Sequence, residues 1–147
     1  MLCLFPALAF SQAVKYTVKG KVGAYSAPAK MLLTYNLPGQ KMVIDSSALN
    51  NGYFEFTGTV EMPVNATLIL KKTPAKILLS KVSEENMLQL YLESSQIKIS
   101  SDSVLSTAKI KGGKINKAYA SYLNGITPIT NDIKGVLTSF SVNRKIS

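Results

Sequence analysis

From Val14 onward, apolar and polar residues change places at every step: Tyr16, Val18, Gly20 and Val22 alternate with Lys15, Thr17, Lys19 and Lys21. A period of two sends successive side chains to opposite faces of a strand, so this segment reads as a half-buried strand with lysines on its wet face. Further strands are expected at residues 31–35, 41–46, 53–60, 66–70 and 76–79. Two more follow where Leu88, Leu90 and Leu92, and then Ile97 and Ile99, alternate with polar neighbours. Turn-forming residues fall between these runs, at Pro28, Pro38-Gly39, Asn50-Asn51-Gly52, Pro63 and Pro74. Asn51-Gly52 is a hairpin signal, because both residues tolerate positive φ. Short strands at this spacing predict an all-β fold, an antiparallel β-sandwich over residues 13–112, rather than βαβ units.

After Gly112-Gly113 the period lengthens. Ile115, Tyr119, Tyr122, Leu123 and Ile126 recur at helical spacing with Gly125 as a terminator, and Ile129, Ile133, Val136, Leu137 and Phe140 repeat the pattern. Two short C-terminal helices are therefore expected, the second capped by Asn131, with Asp132 at its positive end and Arg144 and Lys145 at its negative end. Residues 113–147 read as a helical linker leading toward a downstream domain. At the other end, residues 1–12 begin MLCLFPALAF, an apolar run too short to span a bilayer. It fits the apolar and cleavage regions of a secretory signal, with Ala7 and Ala9 forming an A-x-A pair, but lacks the basic start of a complete one. Export to the periplasm or cell envelope is expected, with residues 1–12 as a partial signal peptide.

Composition narrows the chemistry. The 147 residues include no histidine, no tryptophan and one cysteine, Cys3, inside the segment expected to be removed. That leaves no imidazole base, no His-ligated metal, no Cys/His zinc site, no intrachain disulfide and no Cys-x-x-Cys pair. The eight carboxylates are scattered, and the acidic pair Glu84-Glu85 reads as a solvated turn. No catalytic, cofactor-binding or metal-binding residue is assigned, and the chain reads as a non-enzyme without a cofactor. Seventeen basic residues against eight acidic give a formal charge of +9. A charge of that size steers a protein toward polyanions, yet Arg144 is the sole arginine, and arginine supplies the bidentate and stacking contacts of most nucleic-acid readers. The lysines are read as solvated strand faces, and nucleic acid is not an expected partner.

Several pieces in order carry a resemblance: Tyr16-Thr17-Val18-Lys19-Gly20-Lys21-Val22, Asp45-Ser46, Asn51-Gly52-Tyr53-Phe54-Glu55-Phe56-Thr57-Gly58, Met62-Pro63-Val64-Asn65-Ala66, Leu90-Tyr91-Leu92-Glu93, and Ala108-Lys109-Ile110-Lys111-Gly112 leading to Asn116-Lys117-Ala118-Tyr119 and Tyr122. This order resembles the domain of unknown function that precedes the thioredoxin-like domain in exported thiol-disulfide oxidoreductases and peroxiredoxin relatives of Bacteroidetes. The resemblance implies an envelope-facing β-sandwich with an accessory role: positioning a redox domain, recognising its clients, or forming a homo-oligomer. It supplies no catalytic residue, since the family's redox chemistry belongs to a downstream Cys-x-x-Cys domain. The partners it implies are a thioredoxin-like domain or client proteins.

Phe54 and Phe56 share one strand face and are expected in the core, whereas Tyr53 and Tyr91 fall out of phase with the apolar faces. Those two tyrosines are the candidate ligand or partner contacts, able to stack on sugar, base or peptide, although a half-buried tyrosine is the commoner outcome. Two rival readings follow: an independent envelope module for carbohydrate or peptide, and a basic nucleic-acid-binding β-barrel. Asp102-Ser103-Val104 also matches a short O-glycosylation motif, and Asn65-Ala66-Thr67 an N-glycosylation one.

Overall fold

The structure, a computed structural model, describes residues 13–39, 42–76 and 78–143. The expected signal segment, residues 1–12 with Cys3, lies outside the described residues, as do Arg144 and Lys145. The chain divides into two compact units between Gly113 and Lys114.

The first unit is a sandwich-like pair of sheets. Its strands are β1 (Val14–Val22), β2 (Lys30–Asn36), β3 (Met42–Ala48), β4 (Tyr53–Val60), β5 (Val64–Lys71), β6 (Met87–Leu92), β7 (Gln96–Ser101) and β8 (Lys109–Lys111). The first sheet has the order β4-β1-β7-β8 and the second β3-β2-β5-β6. Inward residues of both sheets form one core that includes Val18, Phe54, Phe56, Ile97 and Ile99 from the first sheet and Met31, Leu33, Leu68, Leu90 and Leu92 from the second. The two Phe rings sit 6.0 Å apart at 57°. Tyr16 is buried at 3% exposure. It reaches across to a hydrogen bond with Tyr35 of the second sheet, and burial together with that bond raises the pKa of its phenol.

Four expectations change. The sheets are not purely antiparallel, because β7 runs parallel to β1 in the register Val18↔Ile97 and Gly20↔Ile99. The chain reaches β7 only after crossing to the second sheet and back twice, and a connection that long permits parallel neighbours. Gly20 is needed at that pairing, since a Cβ there would strike the carbonyl of Ile99. Asn51-Gly52 forms the expected tight turn, at φ 48° and 82°. It closes a single bridge, Asn50 with Tyr53, and no hairpin follows, because β3 pairs with β2 while β4 pairs with β1. The turn is a corner between sheets. The strand expected at 76–79 is absent among the described residues; Leu79–Lys81 is a single 3-10 turn and Leu78 is exposed. Its apolar run is continuous rather than alternating and follows Pro74, so no sheet face claims it. The sheets are separate, which removes the β-barrel of the nucleic-acid reading.

The second unit holds one helix, α1 (Lys114–Asn143), where two short helices were expected. Gly125 does not adopt the left-handed conformation of a terminator, and space around its Cα is open. The cost of glycine in a helix is only about 1 kcal/mol. Steps of three and four residues also continue unbroken through Tyr119, Tyr122, Ile126, Ile129 and Ile133, so the two apolar runs form one stripe. Pro128 lies inside the helix and leaves the Asn124 carbonyl without its usual amide donor. Beside it, the hydroxyls of Thr127 and Thr130 donate to the carbonyls of Leu123 and Ile126 at 2.6 and 3.1 Å. Asn131 is an interior residue and not a cap.

Candidate functional site

Alternation along the first sheet decides which side chains meet on its outer surface. Val18 and Val22, Phe54 and Phe56, and Ile97 and Ile99 turn inward. Their neighbours turn outward: Lys19 and Lys21 on β1, Tyr53 and Glu55 on β4, Lys98 and Ser100 on β7, and Lys109 and Lys111 on β8. Strand register then sets these into two rows. In one, Glu55 lies opposite Lys19, Lys19 opposite Lys98, and Lys98 opposite Lys111. In the other, Tyr53 lies opposite Lys21, Lys21 opposite Ser100, and Ser100 opposite Lys109. In these two rows five lysines from three distant segments therefore share one face, and Lys15 lies further along β1 on the same side. Among the described residues, Glu55 is the only carboxylate on these strands' outer positions.

A groove of about 670 Å³ opens on this face, lined by Lys19, Lys21, Tyr53, Glu55, Lys98, Lys111 and Ser100, with Ser47 and Ala48 of β3 on one side. Its floor includes Gly20, Phe54 and Ile99. Ser47 ties the wall to the sheet, its hydroxyl accepting the Glu55 amide at 3.3 Å. Tyr53 is 58% exposed. The Lys21 ammonium sits 5.2 Å from its ring centroid, a cation–π distance that orients both side chains.

Tyr91 does not join this site. It lies on β6 opposite Asn65, in the second sheet, and is half-buried. The two candidate tyrosines thus belong to different sheets and cannot form one platform. The lysine rows were missed as a site. Lysines at alternate positions of β1 and β8, with Lys98 of β7, were a visible signal, but only the neighbour relations β1–β7 and β7–β8 bring them together. Asp102 and Ser103 of the short glycosylation motif are exposed in the loop after β7, and Glu84 and Glu85 lie exposed in a 3-10 turn.

Ammonium groups and one exposed phenol suit recognition of an anionic or polar surface. The groove's hydroxyls, Ser47 and Ser100, have no imidazole to activate them, since the chain contains no histidine. Residues 16–119 match a family model described as a domain of unknown function, DUF4369. No curated protein and no solved structure matches the chain. With the match running from β1 through the start of α1, the chain belongs to the DUF4369 family of domains of unknown function.

Proposed function

We propose that this chain is a non-catalytic interaction domain, accessory to an exported thiol-disulfide oxidoreductase-like protein, and that it recognises or positions the clients of a thioredoxin-like domain. One observation carries the reading: an open groove on the outer face of the first sheet, furnished with the exposed Tyr53 and with Lys19, Lys21, Lys98 and Lys111. Such a surface suits binding. The family resemblance supports the redox association, and the lone Cys3 supports a separate location for the redox chemistry, because exchange needs a thiolate and a resolving partner.

The test is a fusion to a Cys-x-x-Cys thioredoxin-like domain. The fused chain should raise kcat/KM for a disulfide-bonded protein client and leave the rate on a small disulfide unchanged. Tyr53→Ala in the fusion should lower the first and not the second. Equal rates with and without the domain on every protein client tried would refute the reading. The exposure of Tyr53 also favours the second reading, an independent envelope module for carbohydrate or peptide. That module would bind its ligand equally well with the redox domain absent.

A further inference from the structure

We infer that the lysine face of the first sheet binds an extended, acid-rich segment of a client protein. This deepens the proposed interaction role and rests on it. The rows set Lys19 opposite Lys98 and Lys98 opposite Lys111, with Glu55 at one end as the only carboxylate among the described outer positions. Like charges directly opposite one another destabilise a sheet. Glu55 faces only Lys19, whereas Lys98 and Lys111 stand opposite one another with no carboxylate at the paired positions described, so an anionic partner relieves that repulsion.

The spacing selects the kind of anion. Alternate residues of a strand are about 6.5–7 Å apart, so Lys19 with Lys21, and Lys109 with Lys111, repeat at the distance separating alternate side chains of an extended peptide. A segment with a carboxylate at every second residue can lie along the strands and meet an ammonium at each acidic position. Its intervening side chains point away from the sheet, so only the acidic positions are selected. Nucleic acid fits less well. The only arginine of the chain is Arg144. Successive bases need successive aromatic platforms, whereas Tyr53 is the one aromatic among the described outer positions and Lys21 already lies over its ring. A membrane surface fits less well too: of the exposed large apolar residues described, only Tyr53 lies on this face, and Lys21 lies over its ring, whereas Met42, Ile44, Met62 and Leu78 lie on other elements.

The experiment titrates the full chain with a fluorescent peptide of repeated Glu-Ala units at low salt, read by anisotropy. Binding is expected, weakening as salt is added. The double variant Lys19→Glu/Lys98→Glu should lose roughly tenfold or more in affinity, from several exposed charge contacts of modest individual worth. Lys30→Glu/Lys76→Glu makes the same change in net charge off this face and should lose far less. Equal losses in the two variants would reduce the effect to net charge and overturn the inference. So would absence of peptide binding, or tighter binding to a single-stranded oligonucleotide of equal charge or to phosphatidylglycerol vesicles. If the peptide fails to bind while the fusion still accelerates reduction of a protein client, the acidic-segment inference falls and the accessory role stands.

Discussion

Replacing Gly52 by alanine tests the corner through which the chain passes from the second sheet to the first. Gly52 sits at φ +82°, and a Cβ there would lie 2.6 Å from the Val22 carbonyl oxygen and nearer still to that of Gly23. Both obstacles are backbone and cannot rotate aside. The same residue donates its amide to Tyr25 O at 2.6 Å and accepts from the Val22 amide at 3.0 Å, docking the turn on the end of β1. Gly39 supplies the control, with φ +68° and nothing within 4 Å of where a Cβ would stand. Left-handed strain of about 1–2 kcal/mol applies at both sites. The gain from restricting the unfolded chain also applies at both. Gly52→Ala additionally disrupts two hydrogen bonds, each worth about 0.5–1.5 kcal/mol. It should therefore cost about 2–5 kcal/mol against about 1–2 kcal/mol for Gly39→Ala. Urea unfolding followed by circular dichroism measures both as shifts in midpoint at unchanged slope. Equal losses would refute the docking of the turn on β1.

Three further outcomes are expected. Phe54→Ala and Phe56→Ala should each cost about 3–5 kcal/mol in the same assay. Lys19→Ala, on the outer face, should stay within about 0.5 kcal/mol, and small losses at all three would show the strand phase to be wrong. The Tyr16 phenol is held above its ordinary pKa by burial, then by its hydrogen bond to Tyr35 and by the charges of Tyr35 and Asp45. A folded-state pKa above the unfolded one gives stabilisation that is complete below about pH 10 and is lost as pH rises further. Tyr16→Phe should flatten that alkaline loss, and an unchanged profile would contradict the assignment. Gly125→Ala should strengthen α1 by about 0.8–1 kcal/mol, read from its helical circular dichroism on heating, because nothing lies within 4 Å of the added carbon. A loss of helix would mean that Gly125 is required as glycine.

Much of the β architecture was legible because burial imposes period two on the residues themselves. The alternations around Val18, Phe54 and Ile97 each locate a strand and its inward face. Strand neighbours were not legible, since nothing local to Gln96–Ser101 says that it runs parallel beside β1 rather than antiparallel elsewhere. The same gap hid the site. Lys19, Lys98 and Lys111 each look like ordinary wet-face residues until pairing sets them side by side. Tyr53 was legible as an exposed aromatic from its phase. Tyr91 shared that phase signal but lies in the other sheet, because phase tells inside from outside and not one sheet from another. Asn51-Gly52 carried its turn correctly, while the identity of the strand each arm would join depended on distant partners. A break at Gly125 gives a weak local propensity more weight than the continuous apolar stripe that runs through it.

The proposed recognition surface is the outer face of the first sheet. Backbone amide chemical-shift mapping of the isotopically labelled chain, titrated with a client protein, tests it directly. Perturbations are expected to concentrate at Lys19, Lys21, Tyr53, Lys98 and Lys111. Perturbations centred on Tyr91 and the second sheet, with the first sheet unmoved, would contradict it.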